Sequence, residues 1–167
     1  MKEVFQLALT YGLVLSAVLN VMILGSLYLN PAIWADDAPP EIKARIGPMS
    51  EKTKRQRRLL MVPFFASLLV IMLAGLAQLR TLQGGDLTFW ASLLFLYTML
   101  MVFNLFDLLI IDWLIVETIN PPFFRLPQLG ELANVRHYGF HLRAFFIGSV
   151  GLLGMSVVVA ALAAWLF

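Results

Sequence analysis

Residues 89–116 read FWASLLFLYTMLMVFNLFDLLIIDWLIV, an almost wholly apolar run that nevertheless carries Asn104, Asp107 and Asp112. Its length decides the fold, because about 20 mostly apolar residues suffice for a helix to cross a bilayer. Three more stretches, 5–29, 59–79 and 144–167, meet the same criterion. Of the 167 residues, 60% are hydrophobic and 13% charged, with a mean hydropathy of +0.85. A soluble domain, which covers itself with polar residues, does not reach such values. Lipid offers the backbone no hydrogen-bond partners, so each span must be a helix. The expected fold is therefore all-α: one transmembrane domain, residues 1–167, packed as a four-helix bundle.

Charge sets the expected direction of the spans. Ten of the twelve basic residues fall in the first and third connections: Lys43, Arg45, Lys52, Lys54, Arg55, Arg57 and Arg58, then Arg125, Arg136 and Arg143. Only Lys2 and Arg80 lie on the other side. Basic loops stay on the cytoplasmic face, which predicts two cytoplasmic loops, extracytoplasmic N- and C-termini and a multi-pass protein of the inner membrane. The run KTKRQRR abutting the second span serves as a topology anchor, and Lys52, Lys54, Arg55, Arg57 and Arg58 are also candidates for contact with anionic lipid. A formal charge of +2 is too small to imply nucleic-acid binding. The first apolar run exceeds a signal h-region and is followed by no A-x-A-like site, so it is expected to be retained. With no cysteine in the chain, disulfides, thiolate metal sites and cysteine nucleophiles are excluded.

Local signals place the helix ends. Asn30–Pro31 stops the first span, Trp34 offers an interfacial anchor, and Pro39–Pro40 opens a short amphipathic turn with Ile42 and Ile46 on one face. Ser50 is positioned to cap the helix that runs through the basic cluster, with Pro63 early in the second span. Gly84–Gly85 makes the turn of an antiparallel hairpin between spans two and three. Asn120-Pro-Pro-Phe-Phe and Pro127 force an extended path in the third loop, with Phe123 and Phe124 dipping into the interface. Small residues at four-residue spacing, Gly12 and Ser16 in span one and Ser156, Ala160 and Ala164 in span four, suit close helix packing within the chain. A protein partner or a homo-oligomer is a further use for such faces.

The polar residues of span three are the functional candidates. An ionised aspartate at mid-span costs about 2.5–3.5 kcal/mol on insertion scales, so Asp107 has to be paired, protonated or open to a wet cavity. On an α-helix Asn104 and Asp107 are about 60° apart and Asp112 about 80° to the other side of Asn104, one broad stripe. Asn20 lies at a similar depth in span one, which predicts an Asn20–Asn104–Asp107 hydrogen-bond cluster. Asp112, nearer the cytoplasmic interface, faces the third loop, where VRHYGFHLR supplies Arg136, His137, His141 and Arg143. An Asp–Arg or Asp–His pair there would dock the loop. His137 and His141 are four apart, the spacing of helical zinc sites, so with Asp107 or Asp112 they are also metal-ligand candidates. Gly139 between them and the lack of an H-E-x-x-H glutamate weigh against a metal. Neither histidine is expected inside a span, so no transmembrane haem and no other cofactor is expected. No phosphate-binding loop or nucleophile elbow occurs.

Two strings, LYLNPAIWADDAPPEI and NLFDLLIIDWLIVETINPPF, resemble a family of small uncharacterised four-span membrane proteins of bacteria and archaea. The resemblance rests on N-P-x-x-W after span one, an acid-x-Pro stretch, and N-L-x-D-x-x-x-x-D-W in span three. Asn30, Pro31, Trp34, Asp37, Pro39, Asn104, Leu105, Asp107, Asp112 and Trp113 occupy those positions, while Ala38 stands where an aromatic is expected. The resemblance implies the four-span architecture and a prokaryotic membrane, and brings no activity with it. The expected function is a non-enzymatic accessory or assembly protein, or a small transport-type protein, with Asn20, Asn104, Asp107 and Asp112 as its polar cluster. The alternative is a membrane-embedded metal-dependent enzyme using Asp107, Asp112, His137 and His141.

Overall fold

The structure, a computed structural model, describes residues 1–166, and every regular element among them is helical. Four helices are long and apolar enough to span a membrane: α1 (Lys2–Leu29), α3 (Glu51–Leu82), α4 (Phe89–Phe106, continued to Ile119) and α5 (Tyr138–Leu166). A short helix, α2 (Pro40–Ile46), lies in the first connection. The last residue of the fourth expected span, Phe167, falls outside the described residues. That span also begins earlier than expected, at Tyr138, because Gly139 does not interrupt it. Helix initiation there is set by backbone bonds from Phe140 and His141 to the His137 carbonyl, and a single glycine costs a helix only about 1 kcal/mol.

The expected capping signals operate. Asn30 is extended, its Oδ1 accepts from the Ala32 amide, and its Nδ2 donates to Gln56 of α3 at 2.7 Å. Ser50 caps α3 by accepting from Thr53 N at 3.2 Å. Gly84 and Gly85 make the turn with φ of +83° and +120°, backbone angles that suit glycine.

Span order departs from a simple hairpin. The short turn does join α3 to α4, but α1 inserts between them: it packs along both, α4 then packs against α5, and α3 and α4 meet only slightly. The reason lies in the buried face of α1. Val4, Leu7, Ala8, Gly12, Leu15, Ser16, Leu19, Asn20, Ile23, Ser26 and Leu27 recur at three- and four-residue steps, a continuous stripe on one side of a helix. Within that stripe a Cβ on Gly12 would sit 2.7 Å from Val102 Cβ and 3.0 Å from the Met99 carbonyl oxygen, so the backbones of α1 and α4 touch there. Gly75 of α3 likewise leaves room for the Phe95 ring. Buried Ser156, Ala160 and Ala163 give α5 its seat on the bundle. Gly12, Ser16, Ser156 and Ala160 thus serve packing within the chain, as expected, whereas the third small residue buried in span four is Ala163 and the expected Ala164 is only partly buried. Most of α3 is exposed apolar surface of the kind that faces acyl chains.

Packing is uneven along the bundle. At the end holding the α3–α4 turn, Leu15, Leu19, Leu79, Phe95, Leu96, Met99 and Leu100 form a dense apolar core. At the opposite end, where the first and third connections lie, the core shrinks to a small cluster around Ile23, Leu27 and Ile111.

Gly12→Ala is expected to destabilise the protein by about 1–3 kcal/mol, since neither a Cβ nor a carbonyl can move aside cheaply. Gly25→Ala, whose Cβ meets nothing within 4 Å, should be neutral to within about 0.5 kcal/mol. Unfolding in a mixed-detergent titration, followed by circular dichroism, measures both.

Candidate functional site: an acid and histidine cluster at the loop end

From Asp107 to Ile119 the fourth helix changes register. Its hydrogen bonds run from i to i+5, a π-helix of 13 residues, ending in a bond from the Asn120 amide to the Ile115 carbonyl at 2.8 Å. Asn120 closes it in the left-handed region, φ 44°. π-turns are rare and concentrate at functional sites. Here the register has a direct consequence. Asp107, Asp112 and Glu117 are spaced by five, which puts successive members about 140° apart on an α-helix of 3.6 residues per turn, but much closer in angle, on one broad side, in the wider turns of a π-helix. Three carboxylates thereby share one face.

That face meets α5. His141 lies between two of the acids: its Nδ1 is 3.0 Å from Asp112 Oδ2 and its Nε2 3.1 Å from Glu117 Oε1. Both ring nitrogens face carboxylate oxygens, so either the ring carries two protons or one carboxyl supplies the proton for its own bond. Glu117 is only 4% exposed, and its second oxygen accepts from the His137 amide at 2.7 Å. His137 Nδ1 is 3.2 Å from Glu41 of α2, while its Nε2 is buried without a hydrogen-bond partner. One buried glutamate thus fixes both the start of α5 and the ring between the helices.

The sequence-based expectations are met only in part. An Asp–His pair involving Asp112 does form, but its histidine belongs to α5 and not to a loop. The expected Asn20–Asn104–Asp107 cluster is corrected: Asn104 Nδ2 donates to the Phe145 carbonyl (3.2 Å) and Ser149 Oγ (3.1 Å) of α5, and Asn20 Oδ1 is buried with no hydrogen-bond partner. The polar stripe of α4 therefore turns to α5, because the α1–α4 interface is closed by the tight contact at Gly12. The metal-ligand candidates also part company. His137 turns to Glu41, both nitrogens of His141 are engaged by carboxylates, and no three His, Asp or Glu side chains among the described residues converge as metal ligands would. Glu117 was missed as a site residue because it read as the first residue of a loop. The five-residue spacing was its only signal, and that spacing has meaning only in a π-helix.

Above the cluster the two connections fold over the loop end. Arg45 of α2 donates to the Gln128 carbonyl of the third connection at 3.0 Å. Arg57 of α3 pairs with Asp37 at 2.9 Å and donates to the Ile33 carbonyl, and Trp34 Nε1 donates to Ser26 Oγ. Trp34 is thus built into the protein and does not simply anchor it. Together with the π-helical stretch and the start of α5, these segments border a partly open cavity of about 520 Å³. Its walls include Ile23, Trp34, Ile42, Ile111, Phe124 and Phe140, and its polar lining includes Asp107, Asp112, Glu117, His137 and His141. Arg125 and Arg136 also border it, but two nitrogens of Arg125 are committed to the Asn120 carbonyl. A smaller void of about 130 Å³ lies deeper, bounded by Asn104, Asp107, Asp112, Ala144 and Phe145.

No protein-family model matches this chain, and no curated protein or solved structure matches it. The site's chemistry is therefore derived from its own geometry. It offers a space of ligand size, apolar and aromatic walls, and an acid-rich floor.

Glu117→Ala is expected to cost about 2–3 kcal/mol, since it strands the His137 amide and one nitrogen of His141 in a buried site. A double-mutant cycle on Asn104→Leu and Ser149→Ala should show a coupling of about 0.6–1.7 kcal/mol. Asn20→Leu and Asp107→Leu, which share no hydrogen bond, should instead add. Detergent unfolding of the single and double variants distinguishes these outcomes.

Proposed function

We propose that the protein is a small transport-type membrane protein that takes up an organic cation with apolar substituents in the loop-end cavity. One observation carries this proposal: three carboxylates on a single π-helical face border an apolar-walled cavity of about 520 Å³. Asp37 has Arg57 as its partner, and Asp112 and Glu117 share His141, so Asp107 is the acid of this face that engages no hydrogen bond or ion pair among the described residues, with the charge of Asp112 and Glu117 beside it. A permanent cation suits such a floor, and the rings of Trp34, Phe124 and Phe140 suit both its apolar groups and its charge. A metal-dependent enzyme finds less support, because the imidazoles that would bind the metal are engaged by acids.

In this proposal the basic connections lie on the cytoplasmic side of a prokaryotic inner membrane, as the distribution of lysine and arginine and the family resemblance imply. The anionic-lipid contact narrows as well. Lys54 pairs with Glu51, and Arg57 with Asp36 and Asp37, whereas Lys52, Arg55 and Arg58 are exposed and take part in no ion pair among the described residues. These three are the ones that acidic head groups would reach, at about 1 kcal/mol each.

Equilibrium dialysis of tetraphenylphosphonium against the purified protein in lipid nanodiscs tests the cation site. Saturable binding is expected, weakened at least tenfold in Asp112→Asn. Absence of saturable binding, or equal binding by both proteins, would count against a cation-binding cavity.

A further inference from the structure

We propose that Glu117, His141 and Asp112 form a proton path that loads and unloads Asp107 from the loop end only. The proposal deepens the transport function and rests on it for its purpose, since a carboxylate that gains a proton loses its hold on a cation. The geometry supporting it is independent of any substrate.

The path is continuous in distance. Glu117 borders the large cavity through which the loop end is reached, and Asp112 and Asp107 border the same cavity further in, so the bonded chain competes with water in the cavity and the rates of the variants below decide between them. Its Oε1 is 3.1 Å from His141 Nε2, and His141 Nδ1 is 3.0 Å from Asp112 Oδ2. Asp112 and Asp107 both border the deeper void of about 130 Å³. A polar void needs only about 10–15 Å³ to admit a water molecule, so water can complete the last step. Imidazole suits the central position because one nitrogen can accept a proton while the other releases one.

In the inward direction a proton arrives on Glu117. Its Oε1–H bond breaks as His141 Nε2–H forms, and His141 Nδ1–H breaks as Asp112 Oδ2–H forms. Asp112 then passes a proton through water to Asp107, which becomes neutral. One proton has moved, Glu117 and Asp112 are again anions, and the ring holds the opposite tautomer. Release along the same path restores that tautomer, so cycles of loading and unloading need no ring flip.

Beyond Asp107 the path stops. Asn104 is bound to Phe145 and Ser149 of α5, and the polar side chains buried past it on α4 and α5, Ser92 and Ser156, are hydroxyls that hold no charge. Past it come Leu100, Met99, Leu96 and Phe95, all 0–2% exposed. The charged and titratable groups around the path are Asp107, Asp112 and Glu117 on α4 and its continuation, His141 on α5, His137 just before it, Asp37 in the first connection with its partner Arg57 on α3, Glu41 on α2, and Arg125 and Arg136 in the third connection. Glu41 is 59% exposed at the side chain and 3.2 Å from His137, which gives the cluster an acid at its solvent edge.

The test is time-resolved infrared spectroscopy after a pH jump, on the protein in nanodiscs without substrate. The carboxyl band lost in Asp107→Asn reports Asp107. We expect this band to respond to pH, its rate to fall at least tenfold in His141→Ala, and added imidazole to restore the rate through the large cavity. A merely structural histidine would not give that rescue. Asp112→Asn, which can still bond the ring but cannot relay a proton, should be slow with or without imidazole, and it stands in if His141→Ala does not fold. A band that ignores pH, a wild-type rate in either variant, or a slow His141→Ala rate that imidazole leaves unchanged would overturn the path. Failure of tetraphenylphosphonium binding alone would remove the cation site and leave these rates as they are.

Discussion

The bond pair that holds His141 between Asp112 and Glu117 joins α4 to α5 where apolar packing is weakest. At the α3–α4 turn end, shape complementarity suffices: glycines let backbones touch, and leucine, methionine and phenylalanine fill the interior. At the loop end the buried apolar cluster is small, so the fixed position of α5 depends on hydrogen bonds. Glu117 supplies two of them, one to the backbone that begins α5 and one to its first-turn imidazole. Removing its carboxylate would release the helix start and the ring together.

The π-helical register is the counterpart of that bond pair. Satisfying three carboxylates in a membrane requires that they face one neighbour. An α-helix would spread Asp107, Asp112 and Glu117 around its circumference and present at least one of them to lipid, at a cost of several kcal/mol. The wider turn avoids this. Its own cost is poorer backbone geometry, offset by the side-chain bonds that the register permits.

How much of this was legible in the sequence follows from the physics of each signal. Span number came from length and hydropathy alone, and all four spans are present, because nothing in tertiary packing can change the need to cover an apolar run of 20 or more residues. Caps and turns at Asn30, Ser50 and Gly84–Gly85 were equally local. Partners were not legible. Asn20 and Asn104 match in depth, but which helices touch is decided by Gly12 meeting Val102 and Met99, a contact between residues far apart in the chain. Likewise Asp112 was paired with the correct histidine type for a local reason, while Glu117 was hidden by an assumed 3.6-residue period.

The same asymmetry explains why the cavity lies where it does. A bundle packed by close backbone contact at one end keeps little free space there, and its long buried stripe on α1 runs out near Leu27. Past that point the proline-stopped connections must lie across the bundle end without inserting into it, held by polar bonds such as Arg45 to Gln128 and Arg57 to Asp37. Such bonds fix edges and leave the middle open. The acids therefore face a space that water and small molecules can enter from one side, bounded on the other by side chains that exclude both. The one-sided site arises here from where tight packing ends.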